Sequence, residues 1–272
     1  MRVAAIQMAS GSSISGNLLE AEKIITEAVN DGAEMVVLPE NFGMIGVKQE
    51  DVVEFKEKLG HGPLQDFLSE QSARHKVVIA GGTIPLESDD SNRYRNSLLV
   101  YNQSGECVTH YDKIHLFDVS LPDVDESYHE SAVIQPGNKT VVVDVGGVKL
   151  GLAICYDLRF PELFRMLVNK GAEIILLPSS FTAATGQAHW HALLKARAIE
   201  NLSFVVAPAQ GGYHVNGRET YGHSLIIDPW GNVLDEIESG SGFARADLNL
   251  SQQQVIRERF PVLSHRKFFE SE

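Results

Sequence analysis

The 272-residue sequence is poor in cysteine, with Cys107 and Cys155 as its only two. Two cysteines are too few for a disulfide framework, and a chain of this length does not need one. We therefore expect both residues to be free thiols in a reducing, cytoplasmic compartment. Cys107 stands within a predicted hairpin strand, where we expect it to be a packing residue.

Positive charge is also scarce, since 23 Lys and Arg residues stand against 36 Asp and Glu residues, a net charge of −13. A surface this negative repels phosphate backbones and anionic lipids, so neither nucleic-acid nor membrane partners are expected. The sequence has no apolar run of about 18 residues, the length that a membrane helix needs. Its first residues have too little apolar and basic character for a secretory signal.

Short apolar strands alternate with helical patterns along the chain, which is typical of the α/β class. Residues 17–30 and 188–201 place apolar side chains on one helical stripe. Residues 35–38 and 174–177 are apolar on both faces, as expected for strands buried within a sheet. The pattern therefore predicts sheets that are covered by helices.

The two halves of the chain repeat the same local patterns. Gly-Ala-Glu at Gly32 precedes MVVLP, and Gly-Ala-Glu at Gly171 precedes IILLP. An alternative is that this tripeptide is simply a common connector between a helix and a strand. The repeat favours an internally duplicated, four-layer α-β-β-α sandwich, and the absence of a linker predicts a single domain over residues 1–272.

Three polar residues, Glu40, Lys113 and Cys155, stand after predicted strands, where α/β proteins place functional groups. A desolvated carboxylate suits a general base, an ammonium suits developing negative charge, and a thiol suits nucleophilic attack. Each residue also has a structural interpretation. Glu40 fits a surface glutamate, Lys113 a solvated partner of Asp112, and Cys155 an inert buried thiol.

Histidine offers two further interpretations. A Cys–His dyad using His115 or His223 stays open, because distance along the sequence does not exclude it. His189 and His191 lie two positions apart on a predicted helix, about 200° around its axis, so they cannot share one metal ion. We expect neither a metal nor a cofactor.

The motifs LPENF around Glu40, YDKIHLFD around Lys113 and CYDLRFPE around Cys155 together resemble the nitrilase, or carbon-nitrogen hydrolase, superfamily. The resemblance covers essentially the whole chain and implies an α-β-β-α sandwich with a Glu-Lys-Cys triad. SSFTAATGQAHWHALLKARAIEN and YGHSLIIDPWGNVL resemble the Nit-type amidase branch, in particular its deaminated-glutathione amidases. Tyr156-Asp157, where nitrilases usually have Trp-Glu, points to amides rather than nitriles.

The resemblance implies a cysteine-dependent amidohydrolase that forms a thioester and releases ammonia from a small carboxylate-bearing amide. Deaminated glutathione, a 2-oxo-acid amide, is the first candidate. The alternatives are an ω-amidase acting on 2-oxoglutaramate or 2-oxosuccinamate and an N-carbamoyl hydrolase.

The resemblance also implies the role of each site residue. Glu40 is the general base and Cys155 the nucleophile, while Lys113 and the backbone N–H of Tyr156 stabilise the oxyanion. Glu130 is the supporting glutamate, and Glu126 is a second candidate for that role.

The substrate pocket is expected to be basic and to use residues of the branch-typical segment. Each candidate also fits a salt-bridge or core-packing role. The candidates are Phe181, His189, Trp190, Arg159, Arg197 and Arg218. A homodimer or larger homo-oligomer is implied, with the C-terminal segment, about residues 250–272, at an interface.

Overall fold

The computed structural model of the protein describes residues 1–121 and 126–267. Its strands are β1 (Arg2–Gln7), β2 (Met35–Val37), β3 (Val78–Ala80), β4 (Ile84–Glu87), β5 (Tyr94–Tyr101), β6 (Cys107–Asp112), β7 (Asp118–Ser120), β8 (Ser127–His129), β9 (Val142–Val145), β10 (Val148–Leu152), β11 (Ile174–Leu176), β12 (Phe204–Ala207), β13 (Gly211–Tyr213), β14 (Glu219–Tyr221), β15 (Ser224–Ile227), β16 (Val233–Ile237) and β17 (Gly242–Asp247). Its α-helices are α1 (Ile14–Asn30), α2 (Pro63–His75), α3 (Pro161–Asn169), α4 (Ala183–Asn201) and α5 (Leu250–Arg259). Short 3-10 helices span Gln49–Phe55, Glu130–Ala132 and Cys155–Arg159.

The parallel strands β1, β2 and β3 form the centre of a first sheet. Strand β5 runs antiparallel to β3 and pairs with both β4 and β6, while β17 returns to flank β1. Parallel neighbours require crossover connections, and α1 and α2 are the segments that provide them.

The second sheet repeats this plan. Strands β10, β11 and β12 are its parallel centre, with α3 and α4 in the two crossovers. Strand β15 runs antiparallel to β12 and is followed by β16, while β9 flanks β10. The same succession of elements in both halves confirms the predicted internal duplication.

Alternate residues of β1 face different layers. Val3 and Ala5 belong to an apolar cluster that includes residues of both sheets, whereas Ala4 and Ile6 pack in a cluster with α1 and α2. The second sheet also packs against α3 and α4, where Trp190 is fully buried. The layers therefore follow the predicted order α-β-β-α, and burial of apolar surface between them holds them together.

Two helices begin earlier than their apolar stripes predict. Helix α1 begins at Ile14 rather than at residue 17, because Ser13 Oγ accepts a hydrogen bond from Gly16 N at 3.2 Å. Helix α4 begins at Ala183 rather than at residue 188, and Thr182 caps it in the same way. Serine and threonine stabilise a first helical turn that has little apolar character of its own.

One of the two cysteines lies in a different environment from the one predicted. Cys107 is exposed, so the expectation that it is a packing residue is wrong. Its strand β6 pairs only with β5 in the described part of the chain, and such an edge position leaves alternate side chains in solvent. Cys155 is buried, and both cysteines are free thiols.

The C-terminal helix α5 packs on its own chain through polar contacts. Arg257 donates hydrogen bonds to the backbone oxygens of Leu202 at 3.0 Å and Ala172 at 2.9 Å. Residues 268–272 of the predicted interface segment lie outside the described residues, and the single-domain and interface assignments stay predictions. No helix in the described ranges is long and apolar enough to cross a membrane.

Candidate active site

A narrow pocket lies around Cys155, three residues beyond the end of β10 in the second sheet. Five of its lining residues were predicted as site residues or as candidates for the carboxylate-binding arginine, and the backbone of a sixth as an oxyanion donor. The lining residues are Phe117, Glu130, Cys155, Tyr156, Arg159, Ser180, Phe181, Thr182, Thr185 and Arg218.

Lys113 lies beneath this pocket and has no exposed side-chain surface. Its Nζ is 2.9 Å from Glu40 Oε1 and 2.8 Å from Glu130 Oε2. Burial by itself lowers the pKa of Lys113, but the carboxylates of Glu130 and Glu40 outweigh burial and raise that pKa well above its ordinary value. The side chain is therefore a fixed cation, and the solvated interpretation of this lysine is wrong.

Glu40 directly follows the strand segment that contains β2 and is 1% exposed, so the surface interpretation is also wrong. Its Oε1 accepts hydrogen bonds from Lys113 Nζ and, at 3.0 Å, from Asn96 Nδ2. Its backbone oxygen accepts a further bond from Gln210 Nε2 at 3.0 Å. Sequence reasoning missed Asn96 and Gln210, which hold the carboxylate and its backbone in one orientation.

Glu130, and not Glu126, is the glutamate that contacts Lys113. Glu130 Oε2 also accepts a hydrogen bond from Phe117 N at 2.8 Å, which holds its carboxylate toward the lysine. Glu126 instead accepts a bond from Tyr128 Oη at 2.7 Å. The two glutamates stand four residues apart, and only the fold distinguishes them.

Cys155 begins a 3-10 helix and has a positive φ of 46°, a conformation that costs energy for any residue with a side chain. Its backbone N–H donates to Pro178 O at 3.0 Å. Burial raises the pKa of the Cys155 thiol well above its ordinary value; Glu40 adds to this rise and Lys113 opposes it. The thiol is thus protonated at neutral pH and within the field of both charged groups.

The fully buried Asp157 stabilises the turn that contains Cys155. Asp157 accepts hydrogen bonds from Ile154 N at 2.9 Å and Tyr111 Oη at 2.7 Å. Its other oxygen lies 2.6 Å from His115 Nδ1. His115 pairs with this carboxylate and His223 pairs with Glu236, and in the described part of the chain neither imidazole lines the pocket or hydrogen-bonds to Cys155, so the alternative Cys–His dyad is not formed here.

The residues predicted for the pocket divide into two groups. Phe181 and Arg159 line it, with the Arg159 guanidinium 5.5 Å from the centre of the Phe181 ring. Arg218, the third arginine considered, also lines it. Tyr156 is a lining residue as well, and the oxyanion role of its backbone N–H stays a prediction.

Three candidates lie elsewhere. His189 is exposed and does not line the pocket; its Nδ1 lies 3.3 Å from Arg159 Nη1, so it reaches the site only through that arginine. Arg197 is buried, where it donates to Leu158 O at 3.0 and 2.8 Å and pairs with Glu200, so it is a structural residue. Trp190 packs in the core, as its structural interpretation predicted.

The assembled groups have complementary chemical properties. A carboxylate can accept a proton, a buried ammonium can stabilise negative charge on an oxygen, and a thiol can attack a carbonyl carbon. The carbon-nitrogen hydrolase pattern matches residues 2–258, a range that includes Glu40, Lys113, Glu130 and Cys155. The chain belongs to the carbon-nitrogen hydrolase family.

Named relatives in this family cover nearly the full chain. A deaminated glutathione amidase of Synechocystis sp. is 41% identical over 269 residues, which is 97% of each protein. The omega-amidase NIT3 of Saccharomyces cerevisiae is 34% identical and covers 98% of this chain and 94% of that protein. The crystal structure of the C. elegans NitFhit protein superposes with a TM-score of 0.91 at 35% identity, covering 98% of this chain and 65% of that one. Family and fold are thus as predicted.

The raised pKa of Cys155 predicts its pH-dependent reactivity. In a Cys107→Ser background, alkylation of Cys155 by iodoacetamide should keep accelerating as the pH rises past about 8.5, the ordinary pKa of a thiol. The reason is that the reactive thiolate is populated only as the pH approaches the raised pKa. A series of rates at fixed pH, followed by intact-protein mass, measures this.

Glu130→Gln removes one of the negative charges that raise this pKa, so the inflection should move to lower pH. Glu126→Gln is the matched control and should leave the profile unchanged, because Glu126 contacts Tyr128 instead. A rate that levels off below pH 7 in the parent protein contradicts the assignment.

Proposed function

We propose that this protein is a cysteine-dependent amidase that hydrolyses small carboxylate-bearing amides through a thioester on Cys155. The observation that carries the proposal is the buried lysine, held between Glu40 and Glu130 beside a buried thiol. A fixed cation in a dry site is suited to a developing oxyanion, and the adjacent carboxylate is suited to proton transfer.

In the first half of the reaction, Glu40 accepts the thiol proton as Cys155 Sγ forms a bond to the amide carbon. The carbonyl oxygen becomes an oxyanion, which Lys113 Nζ and the backbone N–H of Tyr156 stabilise. Collapse of this intermediate breaks the C–N bond, and the proton held by Glu40 passes to the leaving nitrogen. The product is a thioester and a free amine or ammonia.

In the second half, Glu40 accepts a proton from water, which attacks the thioester carbon. The C–S bond breaks, the carboxylic acid is released and the proton returns to Cys155. Glu130 acts through Lys113, because its carboxylate contacts the ammonium directly and fixes where it points.

The outer part of the pocket suits a substrate carboxylate. Arg218 Nε and Ser180 Oγ are buried and have no hydrogen-bond partner within the described chain. Both residues line the pocket, together with the guanidinium of Arg159. Unpaired buried polar groups are costly, and a carboxylate next to a guanidinium removes that cost through charge-assisted bonds. We infer that Arg218 and Arg159 bind the carboxylate while the amide reaches Cys155.

We propose deaminated glutathione as the preferred substrate, because the most similar named relative reported above is an amidase of that compound. The second candidate is 2-oxoglutaramate, which the similarity to an omega-amidase favours. Both are amides of the same 2-oxo acid and differ only in the leaving group. The ammonia release expected from the sequence therefore holds only for the primary amide, because deaminated glutathione releases cysteinylglycine instead.

We also infer that the chain works in a reducing, cytoplasmic compartment and associates with further copies of itself. The two free thiols support the first inference. The second is supported by two exposed aromatic side chains, Trp230 and Phe260, whose rings lie 5.5 Å apart on the surface. Sedimentation of the purified chain should therefore give a mass above 29.9 kDa.

Substrate profiling tests the proposed function. Release of 2-oxoglutarate should be fastest from deaminated glutathione and slower from 2-oxoglutaramate, with little turnover of an N-carbamoyl amino acid.

Cys155→Ala should lower kcat by about 10⁴-fold or more, as removal of a nucleophile does elsewhere. Cys107→Ser is the matched control and should retain full activity, because this thiol is exposed in β6. Hydrolysis of none of these amides, or an active Cys155→Ala protein with an unchanged melting curve, refutes the proposal.

Arg218→Gln tests how the substrate carboxylate is bound. The substitution should raise KM for 2-oxoglutaramate by about 10- to 100-fold and change kcat less, because it removes a contact made equally in ground and transition states. Arg218→Lys should restore part of the affinity, since it keeps the charge but not the bidentate geometry. An equal loss with an amide that lacks a carboxylate would show that the arginine only supports the fold.

A further inference from the structure

A second cluster of ionisable side chains lies outside the pocket, formed by His191, His223 and Glu236. His191 Nε2 is 2.8 Å from Glu236 Oε1, and His223 Nδ1 is 2.5 Å from the same oxygen. The three potential ligand atoms all lie within 4.8 Å of one another. The amidase mechanism uses none of these residues.

Three separate elements deliver these side chains to one point. His191 is on α4, His223 immediately precedes β15, and Glu236 is in β16, which pairs antiparallel with β15. The backbone oxygen of His223 accepts a hydrogen bond from Trp190 Nε1 at 2.9 Å, and its N–H donates to Glu238 O at 3.2 Å. The ligand positions are therefore fixed by the fold and not by one flexible loop.

The conformation of His223 is unusual for this residue type. Its φ is 55°, in the left-handed region that non-glycine residues adopt at a cost. The Tyr221 ring stacks on its imidazole at 4.1 Å and 22° and lies edge-on to His191 at 6.1 Å. This strained backbone aims Nδ1 at Glu236, and the tyrosine ring holds the imidazole there.

Two imidazoles and one carboxylate are a donor set that zinc and related divalent ions prefer. Zinc–nitrogen bonds are about 2.0–2.1 Å long, and a tetrahedral site then places neighbouring ligand atoms about 3.3 Å apart. The present distances from Glu236 Oε1 to His191 Nε2 and His223 Nδ1 are 2.8 and 2.5 Å, so each must lengthen by less than about one ångström to reach this spacing. The side chains are 22–33% exposed, which gives an ion access and leaves room for water as a fourth ligand.

We propose that His191, His223 and Glu236 form a binding site for one divalent transition-metal ion of the zinc class. The bound ion joins α4 to the β15–β16 hairpin. Because the first turn of α4 carries Thr185, a lining residue of the pocket, the ion stabilises a helix that also shapes the substrate site. This site is independent of the proposed amidase function, and its test does not use activity.

Cobalt(II) titration of the full-length protein tests the site directly. Cys107→Ser and Cys155→Ala are combined in the parent so that no thiol competes for the ion. One equivalent of Co²⁺ should bind and give the ligand-field absorption of a four- or five-coordinate nitrogen and oxygen site, and Zn²⁺ should displace it. The melting temperature should rise by several degrees with excess Zn²⁺, because the ion binds the folded state. Absence of stoichiometric binding overturns the proposal.

Variants identify the ligands. Glu236→Gln and His191→Ala should each weaken Co²⁺ binding at least 10-fold and abolish the Zn²⁺-dependent rise in melting temperature. His223→Asn should do the same, and asparagine tolerates the left-handed backbone at this position. The exposed His265 is the matched control, and His265→Ala should bind like the parent. If the three variants bind Co²⁺ as tightly as the parent while remaining folded, the cluster is a hydrogen-bonded His–Glu–His group and the proposal is wrong.

Discussion

The buried ammonium of Lys113 is the charge on which the rest of the site depends. It has no exposed surface, and it touches Glu40 and Glu130 at 2.9 and 2.8 Å. Removing one partner from a buried ion pair lowers the free energy of unfolding by about 3–5 kcal/mol. Each of these three residues therefore holds the other two in position. Glu40 also accepts the Asn96 bond in this arrangement, and Cys155 lies in its field: burial is the main cause of the raised pKa of the thiol, Glu40 adds to the rise and Lys113 opposes it.

The duplicated fold explains why this arrangement occurs once. Val3 pairs with Met35 in the first sheet as Leu150 pairs with Ile174 in the second. Continuing this register along the chain makes Ser179 the counterpart of Glu40 and Met8 the counterpart of Cys155. The first half thus supplies the base and the cation, and the second half supplies the thiol. Packing of the two sheets against each other is what brings these contributions together.

Sequence reasoning was most successful where strand order alone decides position. Glu40, Lys113 and Cys155 follow strands that end near one another, and the three motifs around them identify the family. The residues that hold these groups could not be found in this way, because Asn96 lies within a strand and Gln210 is remote in sequence. Asn96 lies in β5 of the same sheet as β2, so its bond to Glu40 depends on the lateral order of the strands. Gln210 follows β12 of the second sheet, so its bond depends on how the two sheets pack.

Two features of α4 are not predicted by its apolar stripe. Helix α4 begins at Ala183 because a side-chain cap stabilises a turn that carries no apolar stripe. His191 cannot share an ion with His189 on the same helix, but it meets His223 and Glu236 across the gap to the second sheet. The cap bond comes from Thr182, which directly precedes the helix, and the bond to His191 comes from Glu236 in β16; the spacing of apolar residues within α4 predicts neither.

The central claim is that Cys155 carries the acyl group during turnover. Acid quenching of the protein within the first turnovers of 2-oxoglutaramate, followed by peptide mass spectrometry, measures this directly. The account predicts a mass increase equal to the acyl group on the peptide that contains Cys155, labile to hydroxylamine as a thioester is. Turnover at an unchanged rate with the acyl group on another residue, or on none, would contradict it.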